Sequence, residues 1–147
     1  MDQLDDALHT RIKLLAANGD QHLDARRCAE AISNFEQALA LLPHPVHKWD
    51  AATWLFVAIG DAAFQCCDYE RAREALREAM LCPGAIGNPF VHLRRGQVFF
   101  ELNDLAMASE ELASAYMLDG SAIFEQEDPK YFKHLKTVLM PPANGGW

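Results

Sequence analysis

The sequence is poor in basic side chains. Its 13 Lys and Arg residues stand against 21 Asp and Glu residues, which gives 147 residues a formal net charge of -8. Proteins that hold nucleic acid through its phosphates need a basic face, so this deficit argues against a nucleic-acid partner. The acidity instead favours a partner that carries a basic surface.

Long apolar runs and targeting signals are also lacking. The longest stretch without Asp, Glu, Lys or Arg runs from Ala79 to Leu93, and prolines and glycines interrupt it, so we expect no membrane span. Residues 1–6 are acidic where a secretory signal would be basic. These absences predict a cytoplasmic protein that does not bind membranes.

Cysteine is scarce, with only Cys28, Cys66, Cys67 and Cys82. These residues form no CxxC pair, and the adjacent Cys66 and Cys67 cannot easily bridge each other. No spacing of histidine and cysteine suits zinc, so we expect no metal site. The sequence therefore predicts buried, reduced thiols of the kind found in cytosolic proteins.

What the sequence does contain is an internal repeat. The block G-x11-A-x3-(F/L)-x2-A occurs three times, beginning at Gly19, Gly60 and Gly96. Apolar residues around each glycine fall at helical spacing, and small residues at fixed places let two antiparallel helices approach closely while Phe or Leu fills the gap. The chain is therefore predicted to form helix pairs. We expect helices at about 4–24, 28–42, 49–66, 69–81, 89–102, 105–118 and 129–139.

The last predicted helix has a well-formed start. Asp128 is placed as the N-cap and Pro129 at the first helical position. We expect this helix to cover the exposed face of the third repeat, as terminal caps do in stacked arrays. Residues 141–147, which are rich in proline and glycine, predict a flexible tail.

No group of residues predicts catalysis, and no cofactor is expected. His44 and His47 are three residues apart, but they lie in a proline-flanked linker, which favours loop residues over metal ligands. The pairs Gly19-Asp20 and Gly60-Asp61 could suggest two carboxylates for acid-base chemistry. They occupy equivalent positions of the repeat, however, and repetition explains them without chemistry. We therefore expect a protein that is not an enzyme.

The three blocks that begin at Gly19, Gly60 and Gly96 resemble the tetratricopeptide repeat (TPR), a helix-turn-helix unit of about 34 residues. All three blocks match its small residue in the first helix and its Ala, aromatic or Leu, and Ala in the second. Two departures are visible: Arg26, Cys67 and Asn103 replace the usual turn glycine, and the linker at 44–48 is longer than usual. The resemblance implies an all-α fold with three TPR helix-turn-helix repeats in a short right-handed solenoid plus a C-terminal capping helix. A single domain over 1–140 would hold repeats at about 12–45, 53–86 and 89–120 and the capping helix at 129–139.

In this family the first helix of each repeat lines a concave groove that holds partners. Acids interleaved with aromatics in such a groove suit a basic protein partner, because carboxylates pair with Arg or Lys and rings stack on guanidinium groups. The alternative for the rings is a place in the core between repeats, and the alternative for the acids is a solvated face. The groove positions, carried over one by one, give as partner-binding candidates Asp20, Asp24, Trp54, Asp61, Phe64, Phe90, Arg94, Gln97, Phe100 and Glu101.

Four stretches, at 51–54, 60–64, 82–90 and 127–131, resemble a family of small bacterial TPR proteins. Some members of that family are encoded beside polymorphic toxins delivered between bacteria. The resemblance implies a cytosolic immunity protein that binds and blocks one toxin domain. The alternative is a general adaptor or co-chaperone that scaffolds other proteins through peptides. The sequence does not indicate an oligomeric state.

Overall fold

Every regular element in the computed structural model, which describes residues 3–147, is a helix. Met1 and Asp2 of the acidic N-terminal segment lie outside the described residues. The all-α prediction is confirmed, and each α-helix lies within a few residues of its expected place. Two short 3₁₀ turns, Val46–Lys48 and Ser121–Phe124, were not predicted. The helices are α1 Asp6–Asp24, α2 Cys28–Ala40, α3 Asp50–Gln65, α4 Tyr69–Ala79, α5 Pro89–Glu101, α6 Leu105–Asp119 and α7 Pro129–Val138.

The chain divides into two compact units, one ending at Pro83 and the other running from Gly84 to Trp147. The first unit holds the helix pairs α1 with α2 and α3 with α4, and α2 also packs on α3. The second unit holds the pair α5 with α6, and α7 packs against α6. No helix among residues 3–147 combines the length and the apolar character needed to cross a bilayer.

The repeated glycine is the point where the two helices of a pair touch. A methyl group built at Gly60 would lie 2.5 Å from Leu76 Cγ, and one at Gly96 would lie 2.7 Å from the Leu112 side chain. Gly19 is equally crowded by the ring that fills the first pair. Since real side chains do not approach so closely, only glycine permits this packing. The repeat alanines, all fully buried, are Ala31, Ala38, Ala72, Ala79, Ala108 and Ala115.

Each helix pair turns at a residue in the left-handed region of backbone conformation. Arg26, Cys67 and Asn103 have φ angles of 62°, 62° and 63°. In each case the N–H of the next residue donates to a carbonyl five residues before it, at 2.8 or 2.9 Å, which completes a Schellman motif. The three residues that replace the usual turn glycine therefore keep the backbone conformation of glycine.

The long linker between α2 and α3 is tied to the first unit by side chains. Trp49 Nε1 donates to the Pro43 carbonyl at 2.7 Å, and Trp49 itself is buried. His47 Nε2 lies 2.6 Å from Glu78 Oε2 on α4, and its ring stacks on Phe56. The linker histidine is thus held by a carboxylate and an aromatic ring of its own unit.

The predicted state of the cysteines is wrong for three of the four. Cys28, the first residue of α2, forms a disulfide with Cys66, which directly follows α3, and their Cα atoms are 6.4 Å apart. Cys67 is exposed, and only Cys82 is a buried thiol. Sequence spacing could not reveal the bridge because its two ends are 38 residues apart and meet only through the packing of α2 on α3.

The second unit ends in α7 and the segment that follows it. The Asp128 side chain accepts a backbone N–H of the first turn at 3.0 Å, and Pro129 is the first helical residue, as predicted. Residues 141–147, expected to be a flexible tail, turn back toward the helices. There the Trp147 ring lies against Tyr116 and Phe132, with centroid distances of 5.9 Å to each. Burial of aromatic surface favours this packing, and the proline- and glycine-rich composition does not disclose it.

Candidate functional site

Three of the predicted carboxylates gather on the first unit. Asp20 and Asp24 lie about one turn apart on α1, and Asp61 lies on α3. Partial burial raises the pKa of Asp20, and the negative charges of Asp24 and Asp61 raise it further. Asp20 and Asp24 are four residues apart and so lie on one side of α1. We call Asp20, Asp24 and Asp61 the acidic face.

Two predicted aromatic residues lie on α3 with Asp61. Trp54 is seven residues before Asp61, two helical turns away on the same side of the helix, and its side chain is 37% exposed. Phe64 is half-buried, and its ring centroid lies 5.9 Å from that of Tyr69. Gln65 Nε2 donates to Asp61 Oδ2 at 2.9 Å and so orients that carboxylate. Acid and accessible aromatic surface thus occur together on the first unit.

In the second unit, Arg94 and Gln97 belong to a buried polar network. Arg94 Nη1 donates to Gln97 Oε1 at 2.6 Å and to Glu127 Oε1 at 3.0 Å, and Gln97 Nε2 donates to the same Glu127 oxygen at 2.7 Å. Gln97 is fully buried and Arg94 nearly so. The guanidinium of Arg94 also lies 4.9 Å from the centroid of the Phe90 ring. These two polar side chains hold Glu127 in place, and only Phe90 of this group is open to solvent.

Helix α7 covers the last two predicted residues. The Phe100 ring meets Tyr131 edge-on, with centroids 5.3 Å apart. Glu101 Oε1 accepts a hydrogen bond from Tyr131 Oη at 2.7 Å and pairs with Lys130 Nζ at 2.5 Å. The charge of Glu101 is therefore balanced inside the second unit. Among the predicted acids, Asp20 and Asp24 are exposed, whereas Asp61 is half-buried.

Sequence reasoning did not assign Glu127, Lys130 and Tyr131 to these contacts. Positions carried over from the repeat describe helices inside repeats and say nothing about what a capping helix touches. One signal was available: Tyr131 and Leu135 are four residues apart on α7, and both are buried, so they mark the face that packs. A charged residue next to that face, such as Lys130, is well placed to reach an acid on α5.

His92, a buried titratable residue outside the predicted site, has a structural role. His92 Nε2 accepts the backbone N–H of Gly87 at 3.0 Å, so its proton belongs on Nδ1, which lies 2.9 Å from Glu111 Oε2. This histidine links the turn before α5 to α6. Within the part of the chain that the structure describes, no group of three His, Cys, Asp or Glu residues is arranged to hold a metal ion.

The fold is similar to those of solved TPR domains. The TPR domain of Arabidopsis OM64 has a TM-score of 0.70 and 16% identity, over 90% of this chain and 99% of that chain. The second TPR domain of human RPAP3, in complex with the HSP70 peptide SGPTIEEVD, has a TM-score of 0.68 and 16% identity, over 89% and 97% of the two chains. PcrH from Pseudomonas aeruginosa has a TM-score of 0.67 and 23% identity, over 92% and 95%. No family model and no curated protein matches the sequence. The chain has the fold of a tetratricopeptide-repeat domain.

Proposed function

We propose that the chain is a non-catalytic protein-binding module whose acidic face, with Trp54 and Phe64 beside it, holds a basic protein surface. The observation that carries this proposal is the occurrence of Asp20, Asp24 and Asp61 on one unit, where burial and then the charges of Asp24 and Asp61 raise the pKa of Asp20. Like charges held together destabilise the free protein, and a positively charged partner relieves that repulsion. Trp54 adds exposed aromatic surface of the kind that stacks on guanidinium groups.

The RPAP3 complex helps to define the charge of the ligand. The peptide bound to that TPR domain, SGPTIEEVD, is acidic. The same peptide would meet like charge on Asp20, Asp24 and Asp61 and would be repelled. A shared fold therefore supports protein binding, whereas the acidic face supports a partner of the opposite charge.

Within this class, we propose a cytoplasmic immunity protein that neutralises a toxin domain, as the resemblance to small bacterial TPR proteins implies. Toxins that act on nucleic acids or nucleotides need basic surfaces, and an acidic face complements such a surface in charge. Disulfides in a reducing cytoplasm are usually transient. In that compartment the first unit would be held mainly by the packing of α2 on α3.

The immunity role is tested by a pull-down from the native host, followed by co-expression of this chain with the toxin that it captures. We expect the toxin domain to co-purify with this chain, and cells that express both proteins to survive. Stable expression of this chain without rescue of the toxin-expressing cells would contradict the immunity role.

A charge-reversal variant tests the acidic face directly. Asp20→Lys combined with Asp61→Lys should weaken the toxin complex by roughly tenfold or more, since like charges then face each other. Glu110→Lys is the control, because Glu110 is an exposed residue in the middle of α6, a helix of the second unit that carries none of the three acids. Isothermal titration calorimetry at low and high salt measures the affinity of each variant for the toxin. The affinity of the unaltered chain should fall as the salt concentration rises. Equal affinity of the double variant and the control would place the interface elsewhere.

A second function, a general adaptor or co-chaperone, is favoured by one observation. The RPAP3 domain of the same fold is bound to a chaperone-derived peptide. The chain should be titrated with the SGPTIEEVD peptide itself. We expect no binding, whereas saturable binding would favour the adaptor and contradict the charge argument.

A further inference from the structure

Three aromatic side chains of the second unit pack together, and one further ring, that of Trp147, lies against two of them. We define the aromatic box as Tyr116 on α6, Phe124 in the second 3₁₀ turn and Phe132 on α7. Phe124 and Phe132 stack with centroids 4.7 Å apart and an angle of 9°. The Trp147 ring meets Tyr116 and Phe132 edge-on, at interplanar angles of 68° and 85°. Lys136 Nζ lies 4.5 Å from the Phe132 centroid and 5.8 Å from that of Trp147.

The segment that carries Trp147 contributes little to this packing besides the indole ring. Ser121 Oγ donates to the Trp147 carbonyl at 3.2 Å. The other hydrogen bonds of the segment are internal turns, from Gly145 N to the Pro142 carbonyl and from Gly146 N to Asn144 Oδ1. Residues 143–146 are exposed. The segment is therefore attached to the second unit chiefly through one aromatic side chain.

The indole ring covers only part of the surface on which it lies. A cavity of about 400 Å³ opens beside Trp147, and its lining combines the apolar Phe124, Pro129 and Phe132 with two acids, Glu125 and Glu127, and two lysines, Lys133 and Lys136. This volume is in the range of natural ligand sites, which combine apolar walls with a few polar groups. Trp147 itself is half-buried, so a larger or longer ligand could use the same wall.

We propose that the aromatic box is a peptide-docking site distinct from the acidic face. Its ligand is a short segment of a partner protein with an aromatic anchor side chain, and residues 141–147 are the version of that ligand bound in cis. The chemistry follows from the occupant in place: an indole ring packs edge-on against two rings and beside a lysine ammonium, and each contact is favourable for any aromatic anchor. A competing segment has to displace one side chain and one hydrogen bond.

The cis arrangement also predicts that the site is weakly accessible in the intact chain. A short tether keeps Trp147 near the aromatic box at an effective concentration of about millimolar. A partner segment therefore binds the intact chain more weakly than it binds a chain without this anchor. If Trp147 only completes the core, its removal should not make the chain bind such a segment, so this prediction distinguishes the two roles.

The experiment uses the full chain with Trp147→Ala, which empties the aromatic box, and a fluorescently labelled peptide PPANGGW that corresponds to residues 141–147. Fluorescence anisotropy should show saturable binding to this variant and about tenfold weaker binding to the unaltered chain, because the tethered ring competes. A peptide with alanine in place of its tryptophan is the control ligand and should not bind. Failure of PPANGGW to bind a Trp147→Ala chain with unchanged helical circular dichroism would overturn the proposal.

Two further variants locate the binding. In the Trp147→Ala background, the further substitution Phe132→Ala should abolish binding of the PPANGGW peptide. If Phe132→Ala reduces the helicity of the chain, Lys136→Ala replaces it. Lys136 is exposed, so its substitution should weaken binding severalfold without unfolding the chain. Two outcomes would place the peptide elsewhere and contradict the proposal. One is undiminished binding by both Lys136→Ala and a folded Phe132→Ala. The other is equal affinity of the unaltered chain and the Trp147→Ala variant for the peptide. Dimers of the unaltered chain that the PPANGGW peptide converts to monomers would support the proposal. In such a dimer, residues 141–147 of one copy would bind the aromatic box of the other. None of these outcomes depends on the acidic face or its partner.

Discussion

At the scale of single residues, the three helix turns show that position sets backbone conformation more strongly than residue type does. Arg26, Cys67 and Asn103 differ in size, charge and chemistry, yet their φ angles agree within 1°. For most residues the left-handed conformation costs about 1–2 kcal/mol, and asparagine tolerates it better than most. The Schellman hydrogen bonds and the packing of each helix pair offset that cost.

The three turns therefore predict unequal responses to glycine. Arg26→Gly should raise the free energy of unfolding by about 0.5–1 kcal/mol, since relief of the left-handed strain outweighs the added freedom of the unfolded chain. Asn103→Gly should change it little, because asparagine already accepts this conformation. Urea denaturation of both variants measures the difference, and equal gains would show that residue type at the turn does not matter.

A second prediction at this scale concerns Asp20, whose pKa is raised in the folded chain by partial burial and by the charges of Asp24 and Asp61. The folded state then binds a proton at Asp20 more readily than the unfolded chain does. The ionised carboxylate destabilises the fold at neutral pH, and this cost disappears as the pH falls through the raised pKa to below the ordinary value of 3.8. Asp20→Asn should therefore melt at a higher temperature than the unaltered chain at pH 7.

Thermal unfolding between pH 3 and pH 7 checks the sign of this effect. The melting temperatures of the two chains should converge at the acid end of the range. A gap that stays constant with pH would mean that the asparagine acts through packing and not through charge. If the acidic face binds a basic partner, the same substitution weakens that complex, so stability and binding change in opposite directions.

At the scale of elements, the bridge between Cys28 and Cys66 links the start of α2 to the end of α3. Closing a loop over a separation of 38 residues restricts the unfolded chain, which the chain-entropy relation values at about 4 kcal/mol. Cys28→Ser should lower the free energy of unfolding by up to that amount under oxidising conditions. Cys67→Ser, at an exposed thiol next to the bridge, is the matched control and should have little effect. Urea denaturation that shows equal stability for both variants would contradict a stabilising role for the bridge.

At the scale of the whole molecule, the repeat block explains why the helices could be predicted. Gly60 and Leu76 are 16 residues apart and always meet in the same way, so a pattern inside one repeat encodes the contact. The bridge at Cys28, the buried pair of Gln97 with Glu127 and the packing of Trp147 have no such pattern. They join residues of different repeats, or residues outside any repeat, and only the folded chain brings their ends together.

The candidate site divides in the same way. Asp20 and Asp61 both stand directly after the repeated glycine, so the sequence predicts equivalent places for them on α1 and α3. The covering of Glu101 by Lys130 could not be predicted, because it depends on where the capping helix lies. The molecule consequently offers two chemically different surfaces, the acidic face in its first unit and the aromatic box in its second.

The bridge between Cys28 and Cys66 has a consequence for how the chain can vary. It closes a covalent ring that contains the long linker between α2 and α3. While the bridge is closed, it limits the distance between the start of α2 and the end of α3, whatever the number of residues in the linker. Lengthening the loop adds only about 0.6 kcal/mol of closure entropy per doubling. With the bridge closed, we therefore expect insertions in the linker to destabilise the first unit less than the loss of either cysteine does.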